Sequence, residues 1–335
     1  MQRFVSASLL ALFTSLAAVN VSAVELLNVS YDVMRDFYKD LNPAFAKYWQ
    51  DKTGESVKVN MSHASSTKQA RAVADGLQAD VLTMNQATDL LMLAKSGNVI
   101  SDDWEKKYSN HAAPFTSTTV FIVRKSNPKN IKDWPDLIQS GLQVIIPNPK
   151  TAGNGRYSYL AAWAFALQQP GGNEEKAREY VSKLFKNVPV LDAGGRGATT
   201  TFMQRNIGDV LLTFENEAEM VAREFGRGNF DVVYPSVSIL AEPPVALVER
   251  DVDKRGTRKV AEAYLEFLWS PEGQEIAAQN YLRPQNVDVL KKYSSQFPPI
   301  KLFTVTDVFT SWDNAQKTHF ADGGTFDQIY VPTAK

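Results

Sequence analysis

Apolar residues recur with a helical period near the start of the chain. Spacings of four, four and three residues place on one helix face Phe37, Leu41, Phe45 and Tyr48. Pro43 predicts a kink or a restart inside this helix, and Gly54 predicts its end. Short apolar runs at 26–29 and 57–59 flank it and predict strands. A strand, a helix and a strand with short joints indicate a βαβ unit and a parallel sheet.

The same alternation of strands and helices continues along the chain. Further strands are predicted at 80–83, 117–123, 144–146, 209–214 and 231–234, and helices at 157–167, 174–185, 198–205, 216–225, 260–269 and 271–280. The chain is predicted to pass from one unit to the other in the segments 117–123 and 239–248. The pattern therefore predicts two α/β units, each with a mainly parallel sheet flanked by helices.

Three strand-to-helix joints share an unusual composition of glycine, hydroxyl and amide residues. They span residues 62–69, 147–156 and 192–202. A helix start presents unpaired N–H groups at the positive end of its dipole and is suited to binding an anion. Taken singly, each joint is equally typical of a tight turn, and Ser66 with Gln69 has the spacing of a capping box. Ligands of open α/β sheets bind beyond the carboxyl ends of the strands, where all three joints are expected.

The first 23 residues form a separate segment. Arg3, a mostly apolar run and the small residues 21–23 are typical of a cleaved secretory signal. The whole chain has a formal net charge of −1, so no basic excess indicates a nucleic-acid partner. It contains no cysteine, which excludes disulfides and thiolate chemistry. We therefore expect an exported protein with no metal and no cofactor.

Many short motifs together resemble one known family. They are LNVSYD at 27–32, SH at 62–63, STKQ at 66–69, NPK at 148–150, LAAW at 160–163, FKNV at 185–188, GDVL at 208–211, ILAE at 239–242, SPEGQEI at 270–276 and THF at 318–320. In this order they resemble the periplasmic sulfate- and thiosulfate-binding proteins of ABC importers. The resemblance implies the two-lobed type II binding-protein fold, with lobe I at 24–117 plus 241–335 and lobe II at 118–240. It also implies a monomer without enzymatic activity that delivers its anion to inner-membrane permease subunits and their ATPase.

The resemblance also implies a site made of uncharged hydrogen-bond donors. Matched position by position, the anion-contacting residues are Ser66, Ala152, Gly153, Asn154, Gly195 and Phe214. The residues expected to support them are Asp32, Ser65, Thr151, Arg156 and Arg196. Ala152 replaces a serine of the family, and Phe214 replaces the indole donor of its sulfate-binding branch. Together with TMNQ at 83–86 and GGRGATTTF at 194–202, Phe214 resembles the thiosulfate branch, whose softer sulfur needs fewer hydrogen bonds.

Other interpretations stay open at this point. Ser66, His63 and Asp32 could form a hydrolase site, although the chain has three histidines and no GxSxG elbow. The glycine joints could bind a nucleotide, but they lack the lysine of a Walker motif. Another tetrahedral oxyanion such as molybdate or phosphate could replace sulfate. Arg156 and Arg196 either neutralise the anion directly or hold the glycine loops, and the second role is favoured.

Overall fold

The structure is a computed structural model that describes residues 23–226 and 228–330. Except for its last residue, the predicted signal segment lies outside the described residues. The strands β1–β11 are Val24–Tyr31, Val57–Ala64, Val81–Thr83, Phe115–Arg124, Val144–Ile145, Val210–Phe214, Phe230–Val233, Val237–Ala241, Val245–Leu247, Arg283–Pro284 and Lys301–Phe303. The helices α1–α15 are Arg35–Thr53, Ser66–Ala74, Ala87–Lys95, Ser109–Ala112, Gly153–Leu167, Glu174–Lys186, Gly195–Met203, Glu215–Phe225, Glu249–Arg255, Arg258–Phe267, Pro271–Gln279, Val287–Lys292, Val305–Phe309, Trp312–Ala315 and Thr325–Ile329.

Helix α1 shows how the apolar pattern becomes structure. Phe37, Leu41 and Phe45 are buried in one hydrophobic cluster. The helix continues through Pro43, so the predicted restart is wrong. Burial of the apolar face outweighs the single hydrogen bond that a proline removes. Gly54 adopts φ +77° and ends the helix, as predicted.

The smaller sheet has the strand order β2-β1-β3-β9. β1 pairs in parallel with β2 and with β3, whereas β9 is antiparallel to β3. The predicted βαβ unit is therefore confirmed. The carboxyl ends of β1, β2 and β3 lie at one edge, and the residues that follow them are brought close together.

The larger sheet has the order β11-β8-β4-β6-β5, and β7 and β10 also pair with β4. β4 is antiparallel to β6, β7 and β8, whereas β5 and β6 are parallel. The prediction of a mainly parallel sheet therefore needs correction here. β4 is the crossing strand, and it enters the centre of this sheet in the direction opposite to β5 and β6. The class predicted from the sequence, α/β with two sheets flanked by helices, is confirmed.

Each sheet carries its own hydrophobic core. One large cluster on the larger sheet joins Phe121, Trp134 and Tyr159 to residues near the C-terminus, including Phe303 and Phe326. The predicted lobe boundaries placed these C-terminal residues in lobe I. The boundaries stay a prediction, and this packing favours moving 301–329 to lobe II. Among the described residues, no helix is both long and apolar enough to cross a membrane.

Candidate anion-binding site

A small cavity lies where loops from both sheets meet. It is lined by Tyr31, Asp32, Val33, Ser65, Ser66, Asn85, Ala152, Gly153, Asn154, Gly194 and Gly195. Its volume is about 10 Å³, far below the ~300–1,000 Å³ of sites for drug-sized molecules. The structure thus brings together seven of the predicted residues, from segments far apart in the sequence.

Three helix starts converge on this cavity. Helices α2, α5 and α7 begin at Ser66, Gly153 and Gly195, and none of their N-cap residues makes a side-chain capping bond. The first-turn N–H groups of a helix have no internal partner and lie at the positive end of its dipole. A Cβ on Gly195 would lie 3.1 Å from Glu217 Oε2 and 3.3 Å from Val33 Cγ2, so a side chain here would require these neighbours to shift. Together these helix starts form a concentrated set of neutral hydrogen-bond donors.

Ser66 is held in place by a carboxylate rather than by a capping box. Its hydroxyl donates to Asp89 Oδ2 at 2.5 Å and accepts the backbone N–H of Asn85 at 2.9 Å. The predicted capping box is therefore wrong, because Ser65 is the N-cap and the Ser66 hydroxyl points to Asp89. Burial raises the pKa of Asp89, and Arg156 opposes that shift. Ser66 consequently offers the cavity its backbone N–H.

Asp32 is a charged residue in the cavity lining. Burial raises the pKa of its carboxyl, while hydrogen bonds from the backbone N–H groups of Arg196, Asp32 itself and Val33 lower it. The bond from Arg196 ties the loop after β1 to the start of α7, and so joins the two sheets. Main-chain donors thus take up part of its acceptor capacity.

A buried network lies behind Gly195. Asn154 Nδ2 donates to Thr213 Oγ1 at 3.1 Å, and Thr213 Oγ1 donates to Glu217 Oε2 at 3.2 Å. Thr199 Oγ1 donates to Glu217 Oε1 at 2.6 Å. Burial raises the pKa of Glu217 to about 7, with Asp32 adding to the shift and Thr199, Arg196 and Thr213 opposing it. A carboxyl group with a pKa raised to near neutral therefore lies directly against the cavity residue Gly195.

Neither arginine lines the cavity. Arg156 is 4% exposed and donates through Nε to Pro149 O at 2.9 Å and through Nη2 to Lys150 O at 3.3 Å. The Arg196 guanidinium points away from the cavity to Glu224, 3.3 Å distant. Arg156 thus braces the loop before α5, and the side chain of Arg196 takes part in a half-exposed ion pair.

The structure places three other predicted residues as follows. Ala152 lines the cavity, but its N–H donates to Asn148 O at 2.8 Å. Thr151 lies outside the lining, and its hydroxyl donates to Ala193 O at 3.0 Å, which joins two of the loops. Phe214 is also outside the lining, with its ring packed edge-to-face on Tyr157 at 5.6 Å. A contact between Phe214 and an anion remains a prediction.

The sequence profile of bacterial extracellular solute-binding proteins matches residues 26–283. The chain belongs to this family. A thiosulfate-binding protein of Pseudomonas aeruginosa is 62% identical over 332 residues, which cover 99% of this chain and 100% of the relative. A sulfate-binding protein of Escherichia coli is 52% identical over 316 residues, which cover 94% of this chain and 96% of the relative.

A solved structure agrees with these sequence relatives. The sulfate-binding protein of Mycobacterium tuberculosis is 31% identical and superposes with a TM-score of 0.81, over 89% of this chain and 99% of that one. The resemblance to sulfate- and thiosulfate-binding proteins noted in the sequence is therefore confirmed. The relatives are named as binding proteins, not as enzymes.

The structure does not join Ser66 to His63 as the hydrolase interpretation requires. Ser66 bonds to Asp89 and not to His63, whose Nδ1 is buried without a hydrogen-bond partner. Burial lowers the pKa of His63 to about 4, with Arg35 adding to the shift. Among the described residues, no group of three or more histidines and carboxylates could hold a metal ion.

Sequence reasoning missed three residues around the cavity. Asn85 was noted in a motif and not as part of the site, whereas Asp89 and Glu217 were not considered. Asn85 lies two residues beyond the end of β3, and that position near the carboxyl end of a parallel strand is a signal that could have found it. The roles of Asp89 and Glu217 depend on contacts with residues 23 and 18 positions away, which no local pattern reports.

Proposed function

We propose that this protein captures thiosulfate or sulfate in the cavity between its two sheets and delivers it to an ABC permease. It acts in the periplasm as a monomer after removal of a signal segment ending near residue 23, and the ATPase of the importer supplies the energy. It has no catalytic step and needs no cofactor. The high identity to proteins named for thiosulfate and sulfate binding supports this assignment.

One observation carries the proposal. Three helix starts point at one small cavity that no lysine or arginine side chain lines. Such a cavity supplies many short N–H donors and the partial positive charge of three helix dipoles. A compact, fully ionised oxyanion with hydrogen-bond acceptors on every side matches this set.

The same chemistry disfavours phosphate. At neutral pH phosphate retains a proton that needs an acceptor when it is buried. Asp32 is the carboxylate in the lining, and three backbone N–H groups already bond to it. A protonated anion would leave a polar group unmatched, at a cost of about 1–3 kcal/mol.

Between the two sulfur anions, thiosulfate is the favoured ligand. Phe214 contributes no indole N–H, so one donor expected for sulfate is absent from the chain, whereas Ala152 departs from both branches and does not discriminate between the two anions. A softer sulfur atom in place of one oxygen tolerates this loss. The relative at 62% identity is named for thiosulfate binding.

The proposal is tested by calorimetric titration of ligand-stripped protein lacking residues 1–23. We expect saturable binding of thiosulfate and sulfate, with thiosulfate tighter, and at least a hundredfold weaker binding of phosphate, about 2.7 kcal/mol. Folded protein that binds neither sulfur anion would refute the proposal. Phosphate binding as tight as thiosulfate binding would show that Asp32 accepts a ligand proton.

A further inference from the structure

Asn85 carries a buried side chain that the fold leaves without hydrogen bonds. It lines the cavity, and only 3% of the residue is exposed. Its Oδ1 is fully buried and has no partner, and no hydrogen bond of its Nδ2 to a described residue is found. Leaving a carboxamide unpaired in a protein interior costs about 1–3 kcal/mol, so such a group needs an explanation.

The surroundings of Asn85 hold its carboxamide in one orientation. Its backbone N–H donates to Ser66 Oγ at 2.9 Å, which fixes the main chain at the cavity wall. A Cβ built on Gly153 would overlap Oδ1 and Cγ of Asn85, so the carboxamide lies directly on the Gly153 backbone. With Oδ1 packed there, Nδ2 is the end of the carboxamide left for the cavity.

The other polar side chains at the cavity are used differently. The Ser66 hydroxyl already donates to Asp89, and Asn154 Nδ2 donates to Thr213. Asn85 therefore offers the cavity a side-chain donor, whereas the donors of Ser66 and Asn154 already have partners.

We infer that Asn85 is a further binding residue, whose Nδ2 donates a hydrogen bond to the bound oxyanion. The inference rests on the proposed function and adds one side-chain donor to its main-chain donors. Asn85 lies in the loop after β3 of the smaller sheet, and Gly153 begins the helix that follows β5 of the larger sheet. A bound anion would therefore accept hydrogen bonds from segments of both sheets. No charge is added, so the site keeps its neutral character.

The first test is calorimetric titration of Asn85→Ala with thiosulfate and with sulfate. We expect both affinities to fall about ten- to a hundredfold, because a hydrogen bond to a charged acceptor is lost. Asn28→Ala is the matched control, because Asn28 is a buried amide in β1 that bonds to Tyr264 and does not line the cavity. Its affinities should stay within about threefold of the parent protein, and circular dichroism and thermal melting establish that both variants fold.

The second test is Asn85→Asp, which changes the donor without changing its shape. At about pH 8 the new carboxylate repels the anion, and sulfate affinity should fall more than about a thousandfold. Near pH 5 the carboxyl becomes partly protonated and can donate, so we expect at least a tenfold recovery of sulfate affinity. The parent protein, measured alongside, should show a much smaller change over this pH range.

The outcomes separate this inference from the proposed function. Parent-like affinities in folded Asn85→Ala overturn the role of Asn85 and leave the function standing. Weakened binding in Asn85→Ala without any pH-dependent recovery in Asn85→Asp indicates a packing role and also overturns the inference. A parent protein that binds neither sulfur anion overturns both.

Discussion

The starts of α5 and α7 face the same cavity, yet their surroundings differ. Around α5, Gly153 lies against the carboxamide of Asn85, and the preceding loop is held by Arg156. Around α7, Gly195 lies next to Glu217, and the N–H of Arg196 bonds to Asp32. One start is therefore packed among neutral and basic groups, and the other among carboxyl groups.

This difference indicates that the two helix starts have different structural roles. The loop before α5 is held from within its own segment, by the Arg156 bonds to Pro149 and Lys150. The α7 start is tied across the cavity to the loop after β1, so it connects the two sheets. The carboxyl groups beside α7 also oppose the partial positive charge of the helix dipole and make this side sensitive to pH. Substitutions that change the start of one helix and leave the other intact will show whether the two roles are independent.

The largest effect is expected for Gly195→Val. A branched side chain would enter the space between Glu217, Asn154 and Val33, whose atoms lie 3.1–3.3 Å from an added Cβ. We expect a loss of thiosulfate affinity of more than about a thousandfold with the fold retained. Gly228→Val is the matched control, because nothing lies within 4 Å of a Cβ at that position. A thiosulfate affinity like that of the parent protein in Gly195→Val would show that the start of α7 is not part of the binding site.

An intermediate effect is expected for Glu217→Gln, measured as stability against pH. Its pKa is raised from 4.5 to about 7 in the folded protein. Between these two values the folded state binds the extra proton, so stability falls as pH rises. Glutamine at position 217 cannot ionise, so the variant does not lose this stability as the pH rises.

We therefore expect the unfolding free energy of Glu217→Gln, relative to the parent protein, to rise by about 3 kcal/mol between about pH 5 and pH 8. Urea unfolding without ligand measures it. The exposed Glu175→Gln should show no such slope. If the difference in unfolding free energy between Glu217→Gln and the parent protein does not change with pH, the pKa of Glu217 is not raised. The two helix starts would then not differ in their sensitivity to pH.

The smallest effect on binding is expected for Arg196→Met. Its guanidinium pairs with Glu224 at a half-exposed position, and its backbone N–H makes the contact with Asp32. Thiosulfate affinity should change less than about threefold, since exposed ion pairs contribute little. Arg156→Met should instead lower the thermal midpoint, because two loop carbonyls lose their donor. A hundredfold loss of affinity in Arg196→Met would show that a cation does hold the anion.

The sequence predicted several parts of the site because they depend on local chemistry. The glycine-rich joints at 147–156 and 192–202 follow apolar runs and precede helices, and that order alone indicates open helix starts. The run before the second joint, at 188–191, is not a strand in the structure. The motifs spread from 27 to 320 also pointed to the family that the comparisons show. These features need no knowledge of distant contacts.

The prediction failed where a residue had two local possibilities. Ser66 with Gln69 has capping-box spacing, but Asp89, which lies 23 residues further on, takes the Ser66 hydroxyl. A charged acceptor in a buried site forms the stronger hydrogen bond. Phe214 also has two local possibilities, because its ring could face a ligand or a core. It packs edge-to-face on Tyr157, and its contact with an anion stays a prediction.

The sequence by itself determined the α/β class, the three anion-suited joints and the family of this protein. Only the tertiary structure decided which donors are free at the cavity, where Asn85 and Glu217 lie, and which core the C-terminal helices join. The physical reason is the range of the interactions. Helix starts and strand periods arise from neighbouring residues, whereas burial, hydrogen-bond partners and pKa shifts arise from groups that meet only when the chain is folded.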